Sequence, residues 1–138
     1  MRILVAEPIA AEGIAKLRAE HQVDERPGLS RDELCSALPD YDALVVRSQV
    51  QVDRDVIAAA GNRLQVIGRA GVGVDNVDLD AATAAGITVV NAPTGNTIAA
   101  AEHTLALMTG VARKVAAADA SVRRGEWKRA QFTGLELR

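Results

Sequence analysis

Short runs of aliphatic and β-branched residues alternate with longer, alanine-rich stretches along the first part of the chain. The runs have the length and composition of buried strands, and the stretches between them have helical spacing. The predicted strands are Arg2–Ala6, His21–Glu25, Ala43–Val46, Leu64–Gly68 and Ile87–Val90. The predicted helices are Ile9–Ala19, Ser30–Ala37, Asp53–Ala60 and Leu79–Ala85. This alternation is typical of an α/β fold, a parallel five-stranded sheet with helices on its faces.

Three of the predicted helices begin at residues that favour N-caps. Ser30 precedes the sequence RDEL and predicts a capping box with Glu33, and Asp53 and Asp78 stand at the starts of the next two helices. No repeat or low-complexity linker interrupts residues 1–90, so these elements are expected to form one compact domain.

A different kind of segment follows, because helical spacing continues from Thr97 to about Ala118 without a strand. The spacing predicts one continuous helix of about 33 Å that is apolar over most of its circumference. Such a helix needs cover on two sides, so we expect a second chain or a further domain to pack there. The predicted division is a domain of residues 1–95 and a second part of residues 96–138.

Composition and charge exclude several classes of protein. The 138 residues carry a formal net charge of −2, and no segment reaches the roughly 20 apolar residues of a membrane span. The first residues lack the pattern of a secretory signal, so a cytoplasmic location is expected. Residues 111–138 are basic, but Tyr41 is the only aromatic residue before Trp127, so no nucleic acid partner is expected. The single Cys35 makes neither an internal disulfide nor a zinc site, and no metal site is predicted.

Candidate binding residues follow the predicted strands. The carboxyl ends of parallel strands emerge at one edge, and the segments there are Glu7-Pro8, Arg47-Ser48-Gln49, Arg69 to Asn76, and Asn91 to Asn96. Arginines bind carboxylate or phosphate bidentately, and glycines at 71 and 73, with a positive φ expected at Gly73, would let backbone N–H groups approach an anion. The edge suits a small anion, although ordinary βα turns with surface arginines would also explain it.

Groups that would bind a dinucleotide or carry out chemistry are scarce. Gly71-x-Gly73 lacks the third glycine of a dinucleotide fingerprint, since Asn76 takes its place, and no ribose-binding acid follows the next strand. His21 falls at the opposite edge of the sheet, and His103 next to Glu102 on one helix cannot form a relay pair. No nucleophilic triad is present, so these residues are expected to bind rather than to react.

The motifs VRS at 46–48, GRAGVGVDNVD at 68–78 and NAPTGN at 91–96, with RRGEWKRAQFTGLELR at the end, resemble the N-terminal part of the NAD-dependent D-2-hydroxyacid dehydrogenases. The resemblance covers the whole chain and is strongest to members that act on 3-phosphoglycerate in serine biosynthesis. It implies a flavodoxin-like substrate domain of residues 1–95, followed by a long linker helix and the start of a cofactor domain in 96–138.

The resemblance also implies roles for individual residues. Those expected to bind the substrate's phosphate and carboxylate are Arg47, Ser48, Arg69, Gly71, Val72, Gly73 and Asn96. Val72 would also lie against the nicotinamide of the cofactor NAD, and Asp75 and Asn76 would brace the turn. The family's dinucleotide loop and its catalytic Arg, Glu and His match no residue here. The chain alone is therefore expected to bind a hydroxyacid without turning it over, and to form a homo-oligomer through residues 97–138.

Two alternatives remain open. The substrate could be an unphosphorylated 2-hydroxyacid such as glycerate or lactate, against which Arg47 argues mildly. A stand-alone ligand-sensing α/β module would instead need an acidic pocket at the strand ends, where Arg47, Arg69 and Asn91 stand.

Overall fold

The computed structural model describes residues 1–137, and the chain divides into two compact units, Met1–Gly95 and Asn96–Arg138. We call them unit 1 and unit 2. The assignment of residues 1–95 to substrate binding and of 96–138 to a linker helix and the start of a cofactor domain stays a prediction, since the division does not show what either unit does.

Unit 1 is built on a five-stranded sheet in which every neighbouring pair of strands is parallel. The strands are β1 (Arg2–Val5), β2 (Gln22–Glu25), β3 (Ala43–Val46), β4 (Val66–Arg69) and β5 (Thr88–Asn91). Their order across the sheet is β2-β1-β3-β4-β5, which is the order of flavodoxin-like folds. The predicted fold class is confirmed, and β3 coincides with its predicted range.

The helices of unit 1 also begin and end close to their predicted bounds. They are α1 (Ala11–Glu20), α2 (Arg31–Ala37), α3 (Arg54–Ala59) and α4 (Leu79–Ala84), with one turn of 3₁₀ helix, Leu38–Asp40, after α2. The capping box of Ser30 and Glu33 is present, and the carboxylates of Asp53 and Asp78 accept hydrogen bonds from the first turns of α3 and α4. All three predicted caps are confirmed.

Two clusters of buried side chains cover the two faces of the sheet. Ile3, Val5 and Ala43 pack with Ile14 of α1 on one face. The larger cluster joins the strands to α2, α3 and α4, and its members include Leu4, Leu44, Val46, Ile67, Leu34, Val56, Ile57, Ala81 and Ala82. Neighbouring strand residues point to opposite faces, so helices cover both sides of β1 and β3.

Unit 2 contains α5 (Thr97–Ala112), α6 (Val115–Arg123) and one turn of 3₁₀ helix, Arg129–Phe132. The prediction of one continuous helix to about Ala118 is wrong, because Lys114 has a φ of 53°, in the left-handed region. The tail of unit 2 explains the break. The Leu135 N–H donates to the carbonyl of Ala112 at 2.8 Å, and this carbonyl therefore bonds to the tail instead of continuing the helical hydrogen bonds. A side chain at Gly134 would collide with the same carbonyl, so the approach requires glycine.

Helix α5 has no buried residue, although most of its residues are apolar. Among residues 1–137, no helix combines the length and the hydropathy that crossing a lipid bilayer would require.

The larger cluster is expected to supply much of the stability of unit 1. Leu44 is fully buried in β3, so Leu44→Ala should lower the free energy of unfolding by about 2–5 kcal/mol in urea titrations followed by circular dichroism. Leu79→Ala is the matched control, because Leu79 is 44% exposed. Equal losses for the two variants would show that burial in this cluster is not what stabilises the sheet.

Candidate functional site

The ends of β3 and β4 bring two predicted arginines to the same edge of the sheet. Val46 is paired in register with Arg69, so Arg47 begins the loop beside the last residue of β4. The Arg69 side chain crosses to that loop, where its Nε donates to the Arg47 carbonyl at 3.1 Å. The guanidinium of Arg47 lies in solvent, with Nη1 3.5 Å from the Pro8 carbonyl.

A buried carboxylate binds the backbone of the loop that carries Arg47 and Ser48. Glu7 follows β1 and is only 5% exposed. Its Oε2 accepts hydrogen bonds from the N–H groups of Arg47 at 2.7 Å and Val50 at 3.1 Å, and its Oε1 accepts from the Gln49 N–H at 3.1 Å. Three backbone donors of one loop therefore converge on one side chain.

Burial and hydrogen bonding act on the Glu7 carboxyl in opposite directions. Burial alone would raise its pKa, but the three backbone donors and the nearby Arg47 charge outweigh it and hold the pKa below its ordinary value of 4.5. Glu7 is therefore an ionised group at neutral pH. Because all three donors are already bonded to it, the loop offers an anion the exposed side chains of Arg47 and Ser48 rather than these N–H groups.

Asn76 holds the carbonyl groups of the same loop. Its Nδ2 donates to the carbonyls of Arg47 at 2.9 Å and Val50 at 2.7 Å, while the residue is only 4% exposed. Its own backbone carbonyl accepts from the Val52 N–H at 2.8 Å. Asn76 thus braces the neighbouring loop, and it does so from the position where a dinucleotide fingerprint would have its third glycine.

The glycine turn after β4 is compact. The Gly71 N–H donates to the Arg69 carbonyl at 2.8 Å, the Gly71 carbonyl accepts from the Ala92 N–H at 2.9 Å, and Asn91 Nδ2 donates to the Val72 carbonyl at 2.6 Å. The loops after β4 and β5 are therefore joined by two hydrogen bonds.

The expectation of a positive φ at Gly73 is wrong, and Gly71 has none either. The two glycines leave room for neighbouring side chains instead. A Cβ at Gly71 would collide with Nη1 of Arg69, and one at Gly73 would stand 2.8 Å from Oδ1 of Asp75. The Arg69 guanidinium packs where a side chain at position 71 would be.

The structure therefore places six of the seven predicted substrate-binding residues on two adjoining loops of unit 1. Arg47, Ser48, Val72 and Gly73 are exposed there, and Arg69 and Gly71 are half-buried. The seventh, Asn96, is exposed and precedes α5 in unit 2, where its side chain makes no capping hydrogen bond. His103 is exposed on α5, and residues 1–137 contain no cluster of His, Cys, Asp or Glu that could hold a metal ion.

Sequence reasoning assigned no role to Glu7, although it lies at this edge. The available signal was an acidic residue directly after a buried strand, where a carboxylate needs several donors to remain ionised. The donors belong to a loop 40 residues further along the chain, so the pattern around Glu7 does not identify them.

Comparisons with known proteins identify the family and agree with the fold. A model of the D-isomer specific 2-hydroxyacid dehydrogenase catalytic domain matches residues 3–131. D-3-phosphoglycerate dehydrogenase of Archaeoglobus fulgidus is 56% identical over 139 residues, covering 100% of this chain and 26% of that protein. The chain thus spans about a quarter of the length of the curated relatives it matches.

Two solved structures have the same fold. The TT0316 protein of Thermus thermophilus superposes with a TM-score of 0.87 at 34% identity, over 100% of this chain and 46% of that one. The NAD⁺-bound 3-phosphoglycerate dehydrogenase of Entamoeba histolytica superposes with a TM-score of 0.71 at 30% identity, over 83% of this chain and 40% of that one.

The chain belongs to the D-isomer specific 2-hydroxyacid dehydrogenase family, and the resemblance seen in its motifs is confirmed. Within that family, the curated relatives at 49–56% identity are named D-3-phosphoglycerate dehydrogenase.

The lowered pKa of Glu7 predicts how its contribution to stability depends on pH. A carboxyl whose pKa falls on folding stabilises the native state above its unfolded pKa and loses that contribution as the pH falls through the folded pKa. Glu7→Gln should therefore cost about 1–3 kcal/mol at neutral pH, since bonded donors lose a partner. The cost, measured by urea unfolding, should stay constant down to about pH 5 and shrink only below the ordinary value of 4.5.

A cost that already disappears between neutral pH and about pH 5 would contradict this account. It would mean that burial, and not the backbone donors, dominates the pKa of Glu7.

Proposed function

We propose that unit 1 binds the substrate of an NAD-dependent D-3-phosphoglycerate dehydrogenase, which converts 3-phosphoglycerate to 3-phosphohydroxypyruvate in serine biosynthesis, in the cytoplasm. The observation that carries the proposal is the pair of arginines, Arg47 and Arg69, side by side at the carboxyl edge of the sheet beside a glycine turn. A phosphate and a carboxylate on one small molecule match two guanidinium groups.

Each predicted residue has a part in this proposal. Arg47, Ser48 and Arg69 bind the phosphate and carboxylate, with the backbone of Gly71 to Gly73 close to the ligand because Gly71 and Gly73 have no side chains of their own. Asn96, the remaining predicted ligand, is included on the family resemblance alone.

The cofactor NAD receives one contact from this chain in the proposal. The turn after β4 does not fit a dinucleotide pyrophosphate, because the helix after it begins only at Leu79 and Asn76 fills the place of the third glycine. The exposed side chain of Val72 is the contact proposed for the nicotinamide. These residues offer no dinucleotide cradle and no general base at the anion edge, so we propose that they bind the hydroxyacid without turning it over.

An unphosphorylated hydroxyacid is the competing substrate. Arg47 decides between the two because its guanidinium is exposed, whereas the Arg69 Nε is occupied by the Arg47 carbonyl. Two guanidinium groups exceed what the single carboxylate of glycerate or lactate requires.

Arg47→Ala should therefore weaken binding of 3-phosphoglycerate by about 10-fold or more, as expected for losing a charged hydrogen-bond partner, and binding of glycerate much less. Isothermal titration of the 138-residue chain with both ligands measures the difference. Arg54→Ala, an exposed arginine of α3, is the matched control and should change neither affinity. Equal losses for the two ligands would show that Arg47 does not recognise the phosphate.

We also propose that unit 2 forms the contact of a homo-oligomer. Helix α5 exposes Ile98, Leu105, Leu107, Met108 and Val111, each between 46% and 77%. Contiguous exposed apolar surface of more than a few hundred Å² is unusual on monomers. A second copy of α5, related by a two-fold axis, covers it with the same face used twice.

Sedimentation tests the oligomer. The chain should sediment as a dimer, Leu107→Asp should shift it to monomer, and the control Leu79→Asp in unit 1 should not. Trp127 is 78% exposed and should report dissociation as a change of fluorescence on dilution if the stretch around it packs near the neighbouring copy. A strict monomer whose α5 amides exchange slowly would contradict the contact through α5. Fluorescence that stays constant while the dimer dissociates would contradict the contact near Trp127.

A further inference from the structure

Glu7 is the one buried carboxylate at the carboxyl edge of the sheet among the residues that the structure describes, and its three hydrogen-bond donors belong to a single loop. That loop runs from Arg47 to Val50 and carries the side chains of Arg47 and Ser48. Within residues 1–137 the carboxylate makes no ion pair, so its bonded partners are three backbone N–H groups, and the nearby Arg47 charge acts on it through space.

An apolar residue would pack the end of β1 at lower cost. Burying a carboxylate is unfavourable unless several donors compensate for the lost water. The donors here fix the main chain of Arg47 and Val50 at the N–H side, while Asn76 fixes their carbonyl side at 2.9 and 2.7 Å. The same two residues are thus held from both sides, and the chain between them has little freedom left.

We propose that Glu7 is a positioning residue for the anion site: it holds the loop of residues 47–50 in its binding conformation before the anion arrives. The inference rests on the proposed function, because it assumes that Arg47 and Ser48 contact the ligand. A loop ordered in advance does not lose that conformational freedom upon binding, and the saved entropy increases affinity.

The segment around Glu7 also reaches the side chain that it positions. The carbonyl of Pro8, the next residue, lies 3.5 Å from Nη1 of Arg47. The segment after β1 therefore contacts Arg47 twice. Glu7 accepts from its main-chain N–H, and the Pro8 carbonyl lies near its guanidinium. A substitution at Glu7 that displaces the loop would therefore change the position of the Arg47 guanidinium.

The test uses the ¹⁵N-labelled 138-residue chain, with Glu7→Gln compared to Glu12→Gln, the same change at an exposed position of α1. Glu7→Gln should shift the amide resonances of Arg47, Gln49 and Val50 and speed their hydrogen exchange. It should also weaken binding of 3-phosphoglycerate by about 10-fold, because the loop would then have to be ordered upon binding. Glu12→Gln should change neither.

A second comparison separates positioning from a general defect in packing. In an Arg47→Ala background, Glu7→Gln should weaken binding by less than about 2-fold, because residues that act through one another are not additive. The full loss of about 10-fold in that background would overturn the proposal, as would faster exchange of the loop amides with unchanged affinity.

If Glu7→Gln does not fold, hydrogen exchange of the unmodified chain tests the positioning role of Glu7 instead. The amides of Arg47, Gln49 and Val50 should exchange slowly without ligand and remain slow when 3-phosphoglycerate or inorganic phosphate is added. Protection that develops only with ligand would overturn the positioning role while leaving the proposed function intact. Binding of phosphate without 3-phosphoglycerate would contradict the proposed substrate alone, and binding of neither would contradict both.

Discussion

The parallel pairing of β3 with β4 is the constraint on which the site depends. Because Val46 and Arg69 are in register, the chain leaves both strands at the same level, and the two loops begin side by side. An offset of one residue would turn the side chain of Arg69 to the other face of the sheet. The pairing is secured by buried side chains on the same strands, above all Leu44 and Ile67, so the hydrophobic core sets the distance between the two arginines.

The polar contacts at the edge turn this placement into a rigid surface. Glu7 bonds the N–H groups of the loop after β3, Asn76 bonds its carbonyls, and Asn91 ties the glycine turn to the loop after β5. Glu7 and Asn76 are costly to bury, and they stay buried because their partners are backbone groups that need bonding. An edge held in this way would suit the proposed ligand, a small molecule with two anionic groups whose affinity depends on where the guanidinium groups stand.

The elements of unit 1 could be predicted from the sequence because their signals are local. Ser30 with Glu33, Asp53 and Asp78 mark helix starts within one turn, and the apolar runs identify the strands. The edge that carries Arg47 and Arg69 followed from parallel topology. The break at Lys114 could not be predicted, because it depends on Leu135 returning to the Ala112 carbonyl. For the same reason the sequence does not predict the partners of Glu7 and Asn76, which lie far away in the chain. The positive φ expected at Gly73 is absent, and the Asp75 carboxylate lies close to where a side chain at that position would begin.

The proposed function depends on the loops after β3 and β4 forming one anion site. The most direct measurement is a titration of the ¹⁵N-labelled chain with 3-phosphoglycerate, followed amide by amide in NMR spectra. If the two loops form one anion site, saturable shifts should be concentrated at residues 47–50 and 69–73, with no shifts at the opposite edge around His21 and Asp42. Shifts concentrated at the groove between α3 and α4, or at the opposite edge, would contradict it.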